Sequence, residues 1–325
     1  MSQNGPWAES SARAVVGAVD IGGTKIELAL AAADGEVLGE TRLATRAQEG
    51  AEQALERVAR AIEALRRQHA GDREITALGV VCPGIVQPDR ILLAPNLPGW
   101  EETALAARLR SATGVAAVAV TNDVRAGALA EARLGALRGC RCGLYVNLGT
   151  GIAAALVVEG RVAEGAHQAA GEIAYIRPSG ALGAWTATDH PHLESAVGGN
   201  ALARRAANVL GAPVSAEKLF SRTDPVSAHL VHQALAALGT ALVNLAVFVD
   251  PDRVAIGGGL TASADLVLPV LEAYLRTGVP FPPEVVLGHF DQSASLHGAI
   301  ALALDVVSPP AGGRLIDSRA GGIGG

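Results

Sequence analysis

Between residues 14 and 45 the apolar positions come in short runs separated by turn signals: Val15–Val19, Ile21-Gly22-Gly23-Thr24, Ile26–Leu30, Asp34-Gly35, then Glu36–Thr45. Runs of this length punctuated by glycine predict a three-stranded meander. Residues 50–69 carry apolar positions at helical spacing, with glutamates early and arginines late, the polarity that suits a helix dipole. Ala77–Val81 reads as a buried strand ending at Pro83-Gly84, and Val115–Val120 as another. A second meander is predicted over 143–163: strand Gly143–Asn147, turn Leu148-Gly149-Thr150-Gly151, strand Ile152–Val158, turn Glu159-Gly160. Helical spacing dominates 197–210 and 226–249, a strand Arg253–Ile256 runs into Gly257-Gly258-Gly259, and Leu296–Val306 reads as a helix.

The two meanders share one construction. Val19-Asp20-Ile21-Gly22-Gly23-Thr24 and Val146-Asn147-Leu148-Gly149-Thr150-Gly151 each end a strand in a polar residue, turn on glycine and threonine, and enter an apolar strand. This is an internal repeat. It predicts an α/β protein of two similar lobes with a boundary near residues 115–123. The division is a flexible N-terminus at 1–13, an N-terminal lobe at 14–121, a C-terminal lobe at 122–295, a helix at 296–307 packing back on the N-terminal lobe, and a flexible Pro/Gly-rich tail at 308–325.

Composition narrows the function classes. The 325 residues are 50% hydrophobic but only 3% aromatic, so the core is built from small side chains packed closely. With 18% charged residues the chain is not disordered as a whole. A net charge of −6 without a basic cluster argues against a nucleic-acid partner. Three cysteines make no disulfide framework, which points to a reducing compartment. The N-terminus lacks a signal-peptide pattern, and the longest apolar stretch, Ala234–Val249, is short for a bilayer span. The expectation is a cytoplasmic protein without a membrane partner. Only two basic residues are lysines, Lys25 and Lys218, so a retained lysine hints at a specific need.

Three glycine clusters and a few acids are the candidates for chemistry. Gly22 and Gly23 let backbone amides approach a ligand, Thr24 adds a hydroxyl, Lys25 a cation, and Asp20 is placed to organise a metal or its water shell. A lone Gly-Gly would be an ordinary hairpin turn; the matched turn with Thr150 and Gly151 makes a polyphosphate held by two loops the stronger reading. Neither the dinucleotide fingerprint nor a Walker A pattern is present. Gly257, Gly258 and Gly259 suit a flat ring lying on bare backbone or, equally, a plain strand-to-helix turn. Asn122-Asp123 closes a buried strand, where open α/β sheets place ligands, and Asp123 is either a general base or a helix cap. Glu172 and Glu194 suit the vicinal hydroxyls of a polyol, or are surface acids. His190 and His192 form an HxH pair, more in keeping with surface residues than with a metal site.

Taken together, Asp20–Lys25, Pro95-Asn96-Leu97-Pro98-Gly99-Trp100, Asn122-Asp123, Leu148–Gly151, Gly165-Ala166-His167 with Ala170-Gly171-Glu172, and Ile256–Gly259 resemble the ROK family of bacterial sugar kinases and related repressors. The resemblance runs from residue 15 to about 305. It implies the two-lobed actin-like/hexokinase fold (a duplicated ribonuclease H-like fold), with ATP and Mg2+ between the lobes. The first and second turns would lie on the phosphates and Gly257–Gly259 near the adenosine. Asp123 would be the catalytic base, with Gly84, Asn96, Asn122, Glu172 and Glu194 around the sugar. A homodimer is implied by analogy.

One segment departs from the family pattern. Members usually carry a zinc-binding histidine three residues after the glutamate matching Glu172, then a cysteine-rich segment closed by a glutamate. Here the histidine position is Tyr175, the three cysteine positions are Trp185, Ala187 and His192, and the closing acid survives as Glu194. One imidazole does not hold tetrahedral zinc, so no structural zinc is expected. The pocket around Tyr175 is altered with both acids kept. The expected activity is therefore ATP-dependent phosphorylation of a hydroxyl on a hexose or hexose-like polyol; the alternatives are a kinase of a sugar-like C7 cyclitol in secondary metabolism and a non-catalytic sugar-responsive regulator. The regulator reading is disfavoured by the intact phosphate turn and by the first motif's position at Asp20, which leaves no room ahead of it for a winged helix. A non-catalytic binding protein and polyphosphate as donor stay open.

Overall fold

Alternation along the first strand decides where everything else in its unit goes. In the computed structural model, which describes residues 15–177 and 192–309, Val15, Val19 and Ile21 face one layer of helices while Val16 and Ala18 face another. The expected flexible segments at 1–13 and beyond Pro309 lie outside the described residues. The chain divides into two units: residues up to Arg133 with Arg161–Ala170 and Ser293 onward, and Leu134–Gly160 with Gly171–Gln292.

The first unit runs β1 (Val15–Ile21), β2 (Lys25–Ala32), β3 (Val37–Ala44), α1 (Ala51–His69), β4 (Ile75–Val81), the short β5 (Ile85–Val86) and β6 (Ile91–Leu92), α2 (Leu105–Thr113), β7 (Val118–Thr121) and α3 (Asp123–Leu134). Its sheet is ordered β3-β2-β1-β4-β7, antiparallel over the meander and parallel from β1 to β4 to β7. α1 buries Ala54, Leu55, Val58, Ile62 and Leu65 against one face, as its 3.6-residue spacing predicts.

The second unit contains β8 (Cys142–Leu148) and β9 (Ile152–Val158); β10 (Arg161–Val162), which follows, opens the segment counted with the first unit. Then come α4 (Leu193–Val197), α5 (Gly199–Leu210), α6 (Ala216–Phe220), α7 (Pro225–Val249), β11 (Arg253–Gly257), α8 (Ala264–Gly278) and β12 (Glu284–Leu287). The second sheet is ordered β10-β9-β8-β11-β12. In both sheets the order is third, second, first, fourth, fifth by appearance, so the repeat seen in the sequence is a repeat of sheet topology. The helix predicted over 197–210 is split at Gly198, where the backbone is extended between α4 and α5.

α7 has 25 residues and is, by length and composition, able to cross a membrane, longer than the 234–249 stretch suggested. Half of its most apolar window is buried inside its own unit, where Leu230, Val231, Leu235, Leu238 and Leu242 line the core with residues of α4, α5 and α8. It is the central helix of that core.

α9 (Ala294–Val307) returns to the first unit and covers the Val16/Ala18 face of its sheet, through Ala299, Ile300, Ala303 and Leu304. The approach is so close that a Cβ at Gly79 of β4 would overlap the Ala299 carbonyl, and one at Gly298 would overlap the Ala126 carbonyl of α3. Arg133 of α3 grips Asp305 of α9 with two hydrogen bonds, at 2.7 and 3.2 Å. α3 is thereby tied to this unit, and the division falls at 133/134 rather than at the sequence-based 121/122. These contacts explain a core rich in alanine and poor in aromatics: small side chains let backbone pack on backbone.

Candidate active site

The first glycine turn joins β1 to β2 and is braced from behind. Thr45, fully buried at the end of β3, donates its hydroxyl to the Gly22 carbonyl at 2.6 Å and its amide to the Thr24 carbonyl at 2.9 Å. Gly22 N–H closes the hairpin on the Lys25 carbonyl at 2.9 Å. With those groups spent, the Gly23 and Thr24 amides are the turn's remaining donors among the described residues, and amides of bare turns are what a phosphate takes. A Cβ on Gly23 would stand 2.7 Å from the Asn96 Cβ, so the turn and the Pro95–Trp100 segment meet at this glycine.

Two carboxylates end in the same neighbourhood. Period-two alternation puts Asp20 on the face of Val16 and Ala18, which α3 and α9 cover. Asp123 opens α3 directly after β7. Burial, then the charges of Asp123 and Glu27, push the Asp20 carboxyl up to about 7, with Lys25 pulling the other way. Burial also raises Asp123, against hydrogen bonds from backbone amides, one of them Val124 N–H at 3.0 Å. The capping role considered for Asp123 falls instead to Asn122, whose Oδ1 accepts from Arg125 N–H at 2.8 Å. Lys25 ion-pairs with Glu27 at 2.6 Å, and Arg42 holds the same glutamate from β3.

In the second unit the corresponding turn, Gly149–Gly151, is braced by the start of α5. Gly199 N–H donates to the Gly149 carbonyl and Asn200 N–H to the Thr150 carbonyl, both at 3.0 Å. Different elements thus hold the carbonyls of the two matched turns in the same manner. Glu194, on α4, lies against Gly151. Glu172 precedes a single helical turn, Ile173–Tyr175, and Tyr175 meets His192 edge to face with ring centroids 5.2 Å apart. Gly258 has φ +91° and sits against the Leu148 carbonyl, and a Cβ at Gly257 would overlap the Tyr145 ring; Gly259 has open space.

The ROK family model matches residues 16–306. This chain belongs to the ROK family. The kanosamine kinase of Amycolatopsis mediterranei is 32% identical to this ROK protein over 295 residues, covering 88% of this chain and 94% of that one. The ROK hexokinase of Thermus thermophilus has a TM-score of 0.78 at 32% identity, spanning 89% of this chain and 97% of that one. A ROK family glucokinase from Streptomyces griseus, solved with glucose and AMPPNP, has a TM-score of 0.71 at 25% identity over 89% and 99% of the two chains. The fold is the actin-like fold of the ROK sugar kinases.

Within the first unit of this ROK protein, Asp20, Gly22, Gly23, Thr24, Lys25 and Asn96 come together, and Asp123 couples electrostatically to Asp20. Gly84, with φ +88°, packs on the Leu92 carbonyl within its own β5–β6 hairpin. In the second unit Thr150, Gly151 and Glu194 cluster, as do Tyr175 and His192. Trp185, Ala187 and His190 lie outside the described residues. Of the three consecutive glycines, two answer to neighbours inside the protein, Tyr145 and the Leu148 carbonyl, rather than to open space.

Three contributors carry no motif of their own. Thr45 carried no motif; its position at the end of the third strand of a glycine-turn meander is the available signal. Cys82, in the sequence one of three cysteines without a disulfide framework, sits near both carboxylates, and burial with the charges of Asp123 and Asp20 pushes its thiol far up. It ends a parallel strand, which is where such a residue should be sought. Arg125, buried on α3, donates from Nη1 to Gln168 Oε1 at 2.9 Å and from Nη2 to the Gln168 carbonyl, fixing the 161–170 segment within the first unit.

The raised Asp20 carboxyl has a measurable sign. The folded chain holds a proton that the unfolded chain has released between about pH 4 and 7, so this group's contribution to stability falls as pH rises through that window. Asp20→Asn is therefore expected to gain stability relative to wild type between pH 5 and pH 8 in chelator, by about 3 kcal/mol. Paired denaturant melts at the two pH values measure it, and a difference that does not move with pH would contradict the shift.

Proposed function

We propose that this ROK protein is an ATP-dependent kinase that transfers the γ-phosphoryl group to a hydroxyl of a hexose, an amino hexose or a hexose-like cyclitol. The observation that carries this reading is the juxtaposition, in one unit, of the braced glycine turn, Asn96 and the half-buried carboxylates Asp20 and Asp123. A turn with spare amides suits a phosphate, an amide side chain beside it suits a hydroxyl, and a desolvated carboxylate suits proton abstraction.

In this reading Asp123 takes the proton of the acceptor hydroxyl as its oxygen bonds to the γ-phosphorus; the β–γ bridging bond breaks and ADP leaves. Burial raises the proton affinity of Asp123 toward the working pH, which makes it a better base than an exposed carboxylate. The amides of Gly23 and Thr24, and in the second unit those of Thr150 and Gly151, bind phosphate oxygens. Asn96, Asn122, Gly84, Glu172, Tyr175 and Glu194 provide acceptor contacts, and Gly257–Gly259 lies by the nucleoside, with Gly259 as the open position. A half-buried carboxylate is a hard oxygen donor of the kind Mg2+ uses together with substrate phosphates, so Asp20 fits that ion. When bound, Mg2+ neutralises phosphate charge and favours ionised Asp20.

We hold the protein to be cytoplasmic, homodimeric and free of structural zinc. Supporting the last point, two positions where the family resemblance leads one to expect zinc ligands are Tyr175 and His192, which pack on each other, and Leu193 N–H donates to the Ile176 carbonyl at 2.8 Å to join the same two segments. The deciding experiment is an ADP-release screen over hexoses, amino sugars including kanosamine, and C7 cyclitols, run with ATP and in parallel with polyphosphate. Turnover with at least one acceptor and ATP is expected; no ADP release across the panel would favour a non-catalytic binding protein.

A further inference from the structure

Glu194 occupies an unexpected place for an acid assigned only to a polyol. Its Oε2 accepts from Ile152 N–H at 3.4 Å, the amide that follows the second glycine turn. An added Cβ on Gly151 would overlap this oxygen and lie 3.2 Å from the carboxyl carbon. On the other side a Cβ on Gly198 would stand 2.9 Å from Glu194 Cγ and 3.4 Å from Gly151 Cα. The side chain therefore lies in a slot walled by two bare glycines, with its charge against the turn whose amides are expected to bind phosphate.

The hold is weak. The one hydrogen bond is long, the side chain is exposed, and among the described residues Glu194 makes no salt bridge. A negative charge beside a phosphate turn opposes a polyphosphate, and at this range the effect is not screened away by salt. Vicinal hydroxyls offer the same carboxylate short, charge-assisted hydrogen bonds, which are stronger than the one it makes here.

We propose that Glu194 is a gate on the second phosphate turn: without acceptor its carboxylate lies on Gly151 and weakens nucleotide binding, and the acceptor's hydroxyls draw it off. The proposal rests on the reading of Gly149–Gly151 as a phosphate site. Through this residue the acceptor and the nucleotide help each other bind, by the same factor in each direction. Nucleotide held in the absence of acceptor, where water would be the nucleophile, is correspondingly disfavoured.

The test is calorimetric titration of Mg-AMPPNP into wild type, Glu194→Gln and Glu194→Ala. Glutamine keeps an acceptor for Ile152 N–H and removes the charge; alanine removes both. Each variant is expected to bind Mg-AMPPNP about tenfold more tightly than wild type without sugar. Wild type saturated with D-glucose or kanosamine, whichever it phosphorylates, is expected to gain a similar factor that Glu194→Gln has lost. Equal or weaker binding by Glu194→Gln overturns the gate while leaving the kinase reading intact. Weaker binding by alanine alone makes Glu194 a mere support for the turn and also overturns the gate. If wild type and both variants bind no nucleotide, the phosphate reading of the turn fails and the gate with it. Melting curves of the variants confirm that each is folded.

Discussion

Asp123→Asn is expected to lower kcat by about 10²–10⁴-fold while leaving Mg-AMPPNP affinity within a factor of a few. The substitution keeps shape and removes the proton acceptor. The fold around it should survive, because the α3 cap is Asn122 and not Asp123. Asp123 is half-buried with its charge opposed by desolvation, so the neutral amide relieves strain instead of adding it. The variant should melt no lower than wild type at pH 8. The pH profile sharpens the test: wild-type kcat/KM should fall on the acid side as Asp123 protonates, and the residual activity of the variant should lack that limb. Near-normal turnover in the variant would remove Asp123 from the chemistry.

The second large effect is on stability. Gly79→Ala is expected to cost about 3 kcal/mol and to lower Tm by roughly 5–10 °C. The reason is geometric: the new methyl would meet the Ala299 backbone carbonyl, and no rotamer moves a carbonyl in the middle of α9. Either α9 lifts off the sheet, exposing Val16, Ala18, Ala77 and Ile300, or β4 bends away from β1. Scanning calorimetry measures the shift, and a Tm unchanged within 1 °C would mean that α9 does not lie on β4.

Those two positions show what was legible in the sequence and what was not. Asp123 could be singled out because a carboxylate at the carboxyl end of a strand is where open α/β sheets place ligands, although a helix cap explained it equally well. Gly79 carried no mark, because the pressure on it comes from a helix more than two hundred residues later. The matched turns were visible because the pattern is local: glycine, threonine and a polar strand end within six residues. What braces them was not, since Thr45 acts on the first and the α5 amides of Gly199 and Asn200 on the second, and neither is a neighbour in sequence. The glycine cluster at 257–259 was legible as special, but its neighbours were not: Gly257 makes room for the Tyr145 ring on the directly paired strand β8, and Gly258 has a φ of +91°. Glu194 was legible as an acid for a polyol or for the surface, but its place against Gly151 and Gly198 was not. Side-chain pairs across separate elements, such as Tyr175 with His192, carry no periodicity and leave no trace in a single sequence.

The return of α9 has a bearing on how the chain is made. β1, β2 and β4 leave the ribosome ahead of the second unit, yet one of their faces is closed by residues 294–307, after the whole second unit has been synthesised. Contacts this distant in sequence form slowly, because a very long loop must close before they return any free energy. During translation the second unit can bury its own core first, while the alanine-lined face of the earlier sheet stays open to water and to chaperones. The order of folding therefore runs against the order of synthesis: the unit that carries Asp20 and Asp123 is begun before the second unit and finished after it.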